Sequence, residues 1–166
     1  QKLLKRIRKK PMIKAEVLVS KIAWKKYITS PNNYLNKKLQ KAEKKIAILK
    51  KNKLNFTLLL SGDSEIKKLN KKFRKKNKIT DVLSFPFYEK KMLDRVIRKQ
   101  KKTIYLGDII INLNEIIKES KKQGFVTAFD KIWVHGLTHL LGYRHKSNRD
   151  FSLMQKLENK IIKFIQ

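Results

Sequence analysis

Residues Thr103–Gly142 read TIYLGDIIINLNEIIKESKKQGFVTAFDKIWVHGLTHLLG, and this stretch alone rules out an all-α or an all-β chain. Thr103–Ile111 is short, apolar and rich in β-branched residues, which predicts a strand. Leu113–Gln123 has helical spacing and stops at Gly124, and Phe125–Leu141 is a second helix that stops at Gly142, since glycine readily takes the backbone that ends a helix. Upstream, Ile13–Ser20 alternates as a strand does, and Lys53–Ser61 and Val82–Phe87 read as two more. Pro86 puts the latter at a sheet edge or a bulge. Ser30-Pro31 opens a helix whose apolar positions run from Tyr34 to Leu49. Gly62-Asp63-Ser64 starts another, with Ile66, Leu69 and Phe73 as its buried stripe. Lys75–Lys78 reads as a basic connector and Tyr88–Lys102 as a basic loop, and Arg149–Ile165 is the last helix. Interleaved strands and helices predict one α+β or α/β layer structure, with no repeat, long linker or second domain across residues 1–166.

The composition narrows the function. With 166 residues, 41% of them hydrophobic, the chain is expected to bury a globular core. Apolar runs such as Phe56–Leu60 and Ile109–Ile111 are too short to span a bilayer. The basic N-terminal stretch is followed by no apolar signal region, so the expected location is the cytoplasm. There is no cysteine, which leaves imidazole and carboxylate as the metal ligands available. The formal charge of +30 fits a polyanionic partner such as RNA, DNA or an anionic membrane, and a lysine-rich genome composition produces the same excess. No long amphipathic helix with a bulky aromatic face is visible, which argues against a membrane surface.

All three histidines fall within Val134–Lys146, VHGLTHLLGYRHK. His135 and His139 share one helix face and can present nitrogens to one ion. Gly142 turns the chain so that His145 can approach the same ion. Three ligands with an open fourth position are the pattern of catalytic rather than structural zinc. Three neutral imidazoles leave the ion's double charge uncompensated, which lowers the pKa of a bound water to about 7. The ligand spacing matches metzincin proteases, but Gly136 stands where those enzymes carry the glutamate that serves as general base. Glu115 and Glu119 lie on a different helix, and the sequence places neither at the metal. A metallopeptidase is therefore the weaker reading of the motif.

The segment HGLTHLLGYRH resembles the H-G-x-L-H-L-x-G-Y-D-H signature of the YbeY family, bacterial metalloproteins of rRNA processing. Further blocks follow that family's order. Leu69-Asn70-Lys71-Lys72-Phe73-Arg74 is similar to L-N-x-x-Y/F-R. Thr80-Asp81-Val82-Leu83-Ser84-Phe85-Pro86 is similar to T-D-V-L-S-F-P, and Leu106-Gly107-Asp108-Ile109 to L-G-D-I. The resemblance covers most of residues 50–165. It implies a mixed sheet of about four strands with about five helices around it, α+β in class. It also implies a single-strand-preferring endoribonuclease with one zinc, acting on the 3′ end of small-subunit ribosomal RNA and in ribosome quality control.

By the same resemblance, His135, His139 and His145 are the metal ligands and Arg74 is the basic residue of the cleft. A metal and an arginine fork both suit the charge that develops on a phosphodiester, whether water or an RNA 2′-hydroxyl attacks. Asp81 and Asp108 are candidates for holding a histidine tautomer, or for a turn and an ion pair respectively. Ser84 reads as strand packing or a phosphate contact. Lys71, Lys72, Lys75 and Lys76 are expected to follow the RNA backbone, and Lys90, Lys91, Lys99, Lys101 and Lys102 to line the rim. Tyr88 and Tyr143 are candidates for base stacking. Two residues depart from the family pattern: Thr138 stands in place of leucine, and Arg144 in place of the aspartate before the third histidine. Arg144 either grips RNA phosphate or weakens the metal site. A non-catalytic RNA-binding assembly factor with a structural metal is the alternative function.

Overall fold

The computed structural model describes residues 10–99 and 102–166. Its strands are β1 (Ile13–Val19), β2 (Leu54–Ser61), β3 (Val82–Pro86) and β4 (Ile104–Asn112). Its helices are α1 (Pro31–Glu43), α2 (Ala47–Lys51), α3 (Asp63–Arg74), α4 (Lys90–Lys99), α5 (Leu113–Gln123), α6 (Phe125–Leu140) and α7 (Asn148–Ile165). The sheet order is β1-β2-β4-β3. The first three of these strands run parallel, and β3 joins β4 antiparallel, so the sheet is mixed and the class is α+β. β3 is an edge strand, as Pro86 requires.

Central strands in a parallel sheet are covered on both faces and are apolar for that reason. Leu54, Phe56, Leu58 and Leu60 of β2 alternate into the larger core, together with Ile104, Leu106, Ile109 and Ile111 of β4. Helices α1, α6 and α7 supply the other side of that core through Leu35, Leu39, Trp133, Leu137 and Ile161. On the opposite face a smaller cluster of Ile66, Leu83 and Ile110 is roofed by α3. The register between β2 and β4 slips between Asn55 and Thr57, and Gly107 lies at the slip with φ 127°. A Cβ on Gly107 would meet the Phe85 carbonyl oxygen at 2.1 Å, so this position admits only glycine.

α6 is the most buried helix, and it carries a polar network inside the core. Asp130 Oδ1 accepts from Trp133 Nε1 and from the Tyr34 hydroxyl, each at 2.9 Å, and Oδ2 pairs with Lys38 at 3.1 Å. Burial, reinforced by Asp130, raises the Tyr34 phenol and keeps it protonated as the donor. Lys38 also donates to the Ile165 carbonyl at the end of α7, tying three helices at one point.

Four local expectations are revised. Tyr88–Lys102 is not a loop throughout, because Lys90–Lys99 forms α4. Leu93, Val96 and Ile97 make its inner stripe, which the surrounding lysines and arginines obscure in the sequence. The helix opened by Pro31 does not reach Leu49. It ends at Glu43, whose carboxylate accepts the Met12 and Ile13 amides at 2.8 and 3.2 Å, and α2 restarts after an extended Ile46. Phe73 is not buried: it is 57% exposed at the end of α3, with its ring edge-on to Phe85 at 5.2 Å. A 3-10 turn at Ile22–Lys26 was not anticipated; it drops Trp24 into the core, where Nε1 donates to Ser61 O at 2.9 Å. With α2 and α4, the described residues hold more helices than the five expected. No helix among them is long and apolar enough to cross a membrane.

Candidate metal centre

α6 presents His135 and His139 one turn apart. After Leu140 the helix stops: Gly142 takes φ 89°, and the Tyr143 amide bonds back to Thr138 O at 3.1 Å. That reversal is a left-handed helix stop of the kind glycine permits. It brings His145 to the other two, so that one ring nitrogen from each histidine lies within 4.8 Å of the others.

The hydrogen bonds set the tautomers. His139 Nδ1 lies 3.0 Å from the Tyr143 carbonyl oxygen, which can only accept, so Nδ1 carries the proton. His135 Nδ1 lies 2.8 Å from Glu158 Oε1, and an ionised carboxylate likewise only accepts. Burial first, and then the charge of His135, push His139 down to about 4, so its ring is neutral near pH 7. His139 Nε2 therefore presents a lone pair, and it faces His135 Nε2 at 3.1 Å. Two lone pairs at that distance repel unless a proton or a cation lies between them. Two nitrogens bound to one tetrahedral zinc at 2.0–2.1 Å stand about 3.3 Å apart. The donor set fits a divalent transition metal, and His145 could supply the third nitrogen.

The cluster borders a cleft of about 360 Å³. Arg74, Ser84, Arg144 and Lys146 line it with His139 and His145, and no carboxylate is among its lining residues. Arg74 projects from the end of α3; its guanidinium donates to Ser84 O at 3.1 Å and lies over the Phe85 ring at 5.9 Å. Those contacts brace it and leave most of its donors free. Ser84 is 6% exposed, and its hydroxyl has no hydrogen-bond partner among the described residues. Tyr143 also lines the cleft, with Lys90 Nζ over its ring at 5.5 Å.

Other residues singled out by sequence lie elsewhere. Asp81 lines a separate cavity behind His135, but its Oδ1 is engaged by Thr80 Oγ1 at 3.0 Å and by the Val82 amide at 2.8 Å, which makes it the turn residue before β3. Asp108 faces away from the histidines, accepting from Tyr105 at 2.6 Å and lining an apolar groove beside Phe73 and Phe85. Strand alternation puts it on the far face of β4. Glu115 pairs with Lys118, and Glu119 lines the cavity behind His135. Tyr88 packs on Phe87. Lys71, Lys72, Lys75 and Lys76 are exposed around Arg74, and Lys91, Lys99 and Lys102 are exposed, whereas Lys101 lies outside the described residues.

Glu158 had no sequence signal, and Asn70 appeared only within a family block, with no role assigned to it. Glu158 lies 23 positions from His135, and only the packing of α7 on α6 brings it in. Asn70 is buried; its carbonyl caps Lys75, which has φ 59°, and its side chain donates to Lys78 O at 2.8 Å, so it shapes the turn that presents Arg74. Gly136 also gains a reason. A Cβ there would meet Ile109 Cγ2 at 2.8 Å, so the position faces β4 across a close helix–sheet contact.

A family model described as Endoribonuclease YbeY matches residues 19–166. The chain belongs to the YbeY family. Endoribonuclease YbeY of Pelagibacter ubique is 44% identical over 158 residues, covering 93% of this chain and 97% of that protein. Endoribonuclease YbeY of Buchnera aphidicola subsp. Acyrthosiphon pisum is 40% identical over 140 residues, covering 82% of this chain and 85% of that protein. The solution structure of a Thermotoga maritima protein, TM1509, shares the fold at 22% identity with a TM-score of 0.51, covering 90% of this chain and 89% of that one. In this chain Arg74 and Arg144 line one cleft with His139 and His145.

Proposed function

We propose that this chain is a zinc-dependent endoribonuclease that cuts single-stranded RNA, acting in the cytoplasm on ribosomal RNA at the 3′ end of the small-subunit transcript and in ribosome quality control. The observation that carries the reading is the cleft in which His139 and His145 share walls with Arg74, Arg144 and Lys146. A phosphodiester is the substrate that such a concentration of positive charge suits, because its non-bridging oxygens gain charge on the way to the transition state.

His135, His139 and His145 would hold the ion, which when bound supplies Lewis acidity for phosphodiester cleavage. Arg74, held by Ser84 O and the Phe85 ring, aims its remaining N–H donors across the cleft at the scissile phosphate. Arg144 and Lys146 neutralise the same group from the opposite wall. Lys71, Lys72, Lys75 and Lys76 follow the strand as it leaves the cleft, a contact that carries no base preference. A base for peptide hydrolysis is missing, since Gly136 faces Ile109 and no glutamate lines the cleft.

Purified protein of defined zinc content, incubated with a small-subunit rRNA fragment and with an unstructured polypeptide, tests the reading. RNA cleavage that disappears in His135→Ala and after chelation is the expected result. Cleavage that persists in both is contamination and overturns the proposal. Tight RNA binding without cleavage would instead support an assembly factor, and polypeptide cleavage a peptidase.

A further inference from the structure

The cleft accounts for one side of the histidine cluster, and the other side of His135 is turned to α7. We propose that Glu158 is the positioning residue of the metal centre, holding His135 in the tautomer and rotamer that direct Nε2 to the ion. This inference rests on His135, His139 and His145 being the ligand set.

Three observations carry it. First, Glu158 Oε1 lies 2.8 Å from His135 Nδ1, so the carboxylate fixes the proton on Nδ1 and the lone pair on Nε2. Second, Glu158 sits on the inner stripe of α7. Met154 and Ile161, one turn to either side, are 2% and 0% exposed, and Ile165 continues the stripe at 0%. Glu158 itself is a quarter exposed at the edge of that stripe, and a carboxylate so far withdrawn from water is favoured when it is paired. The imidazole of His135 is that partner.

Third, among the described residues no other carboxylate hydrogen-bonds a ring of the cluster: His139 uses the Tyr143 carbonyl. Arg144 occupies the position where the family pattern has an aspartate, and it contributes positive charge to the cleft instead. Glu158 is thus the group that offsets part of the ion's charge through a ligand, and a carboxylate partner makes an imidazole a better donor. Thr138, the chain's other departure from the pattern, places its hydroxyl 2.8 Å from His135 O and 3.3 Å from Glu158 Oε1. Its single proton favours the shorter contact, so it steadies the helix turn under His135 and contributes only a long second contact to the carboxylate.

Zinc affinity of the full chain, measured by competition with a chromophoric chelator, tests the role, with the cobalt(II) absorption spectrum as a reporter of ligand geometry. Glu158→Ala is expected to weaken zinc binding by about 10–100-fold, the usual effect of removing a hydrogen-bond partner of a metal-bound histidine. Glu158→Gln, which keeps an acceptor oxygen but not the charge, should recover part of that loss. Glu158→Leu separates the roles: it should match Glu158→Ala in zinc affinity while its metal-free melting temperature equals or exceeds that of the unaltered protein. Wild-type zinc affinity and an unchanged cobalt spectrum in Glu158→Leu and Glu158→Gln would overturn the inference, even if Glu158→Ala fails to fold. An unaltered protein that binds no zinc, indistinguishable from His135→Ala, would instead overturn the ligand assignment beneath it.

Discussion

Replacing Gly136 by alanine puts a methyl group 2.8 Å from Ile109 Cγ2, 3.0 Å from Cδ1 and 3.2 Å from Cγ1. Ile109 is fully buried in β4, between β2 and β3, so its Cγ2 cannot swing aside as the end of a flexible chain would. Forcing one extra methyl into a packed core costs about 1–3 kcal/mol. Alanine returns about 1 kcal/mol of helix propensity over glycine. The net loss is therefore about 0–2 kcal/mol, and the rigidity of Ile109 places it in the upper half of that range. For a domain of this size, 1–2 kcal/mol lowers the melting temperature by roughly 2–8 °C. Urea unfolding of a double-mutant cycle with Ile109→Ala isolates the contact. Ile109→Ala alone should cost about 2–5 kcal/mol through its cavity. The double variant should cost less than the sum by about 1–2 kcal/mol, because the new methyl fills part of that cavity and the clash is gone. Additivity within about 0.5 kcal/mol would refute the close contact. Gly136→Glu should not create a peptidase, since its carboxylate would enter the apolar layer between α6 and β4 rather than the cleft.

Asp130→Ala should destabilise the fold by about 3–5 kcal/mol in urea melts, because it leaves Lys38, the half-buried Tyr34 hydroxyl and the buried Trp133 Nε1 without their partner. Asp63, whose carboxylate accepts from Asn112 and Asn114 at 2.7 Å each, is held below its ordinary 3.8, first by the Asn112 bond and then by the Asn114 bond. A depressed carboxylate stabilises the fold above its unfolded pKa and loses that contribution as pH falls through the folded value; the stability gap between wild type and Asp63→Asn should therefore be constant near neutrality and close below about pH 3.9. Arg74→Ala should lower the rate of RNA cleavage by about 10²–10³-fold with zinc content unchanged, as loss of a preorganised donor does. Lys72→Ala and Lys76→Ala should each lower RNA affinity evenly across sequences and reduce the slope of log affinity against log salt by about 1, read by fluorescence anisotropy over a salt series.

Local pattern carried a large part of the structure. The four strands were legible because each is a short apolar run bounded by turn residues, and the two glycines that end α5 and α6 marked those helices. α4 was not legible, because its inner stripe is narrow and the outer positions are nearly all basic. The buried stripe assigned to α3 was right for Ile66 and Leu69 and wrong for Phe73, since periodicity says which face a residue lies on and not where the neighbouring sheet ends.

At the site, the chain by itself determined the histidine cluster. His135 and His139 are one helical turn apart and Gly142 can reverse the backbone toward His145, so a candidate metal site follows from local geometry with no knowledge of the rest of the fold. The family resemblance pointed to Arg74 and the motif itself carries Arg144, but only tertiary structure brought the distant charges to that cluster. Arg74 arrives from α3 and Glu158 from α7, across sequence separations that carry no periodic signal. It also decided that Asp108 points to the opposite face of the sheet, and that Gly136 is a close helix–sheet contact. The physical reason is the range of the forces involved. Backbone hydrogen bonding and side-chain periodicity act over a few residues and leave their mark in the order of the chain. The partners of a buried imidazole are whatever the packed layers bring within 3 Å of it.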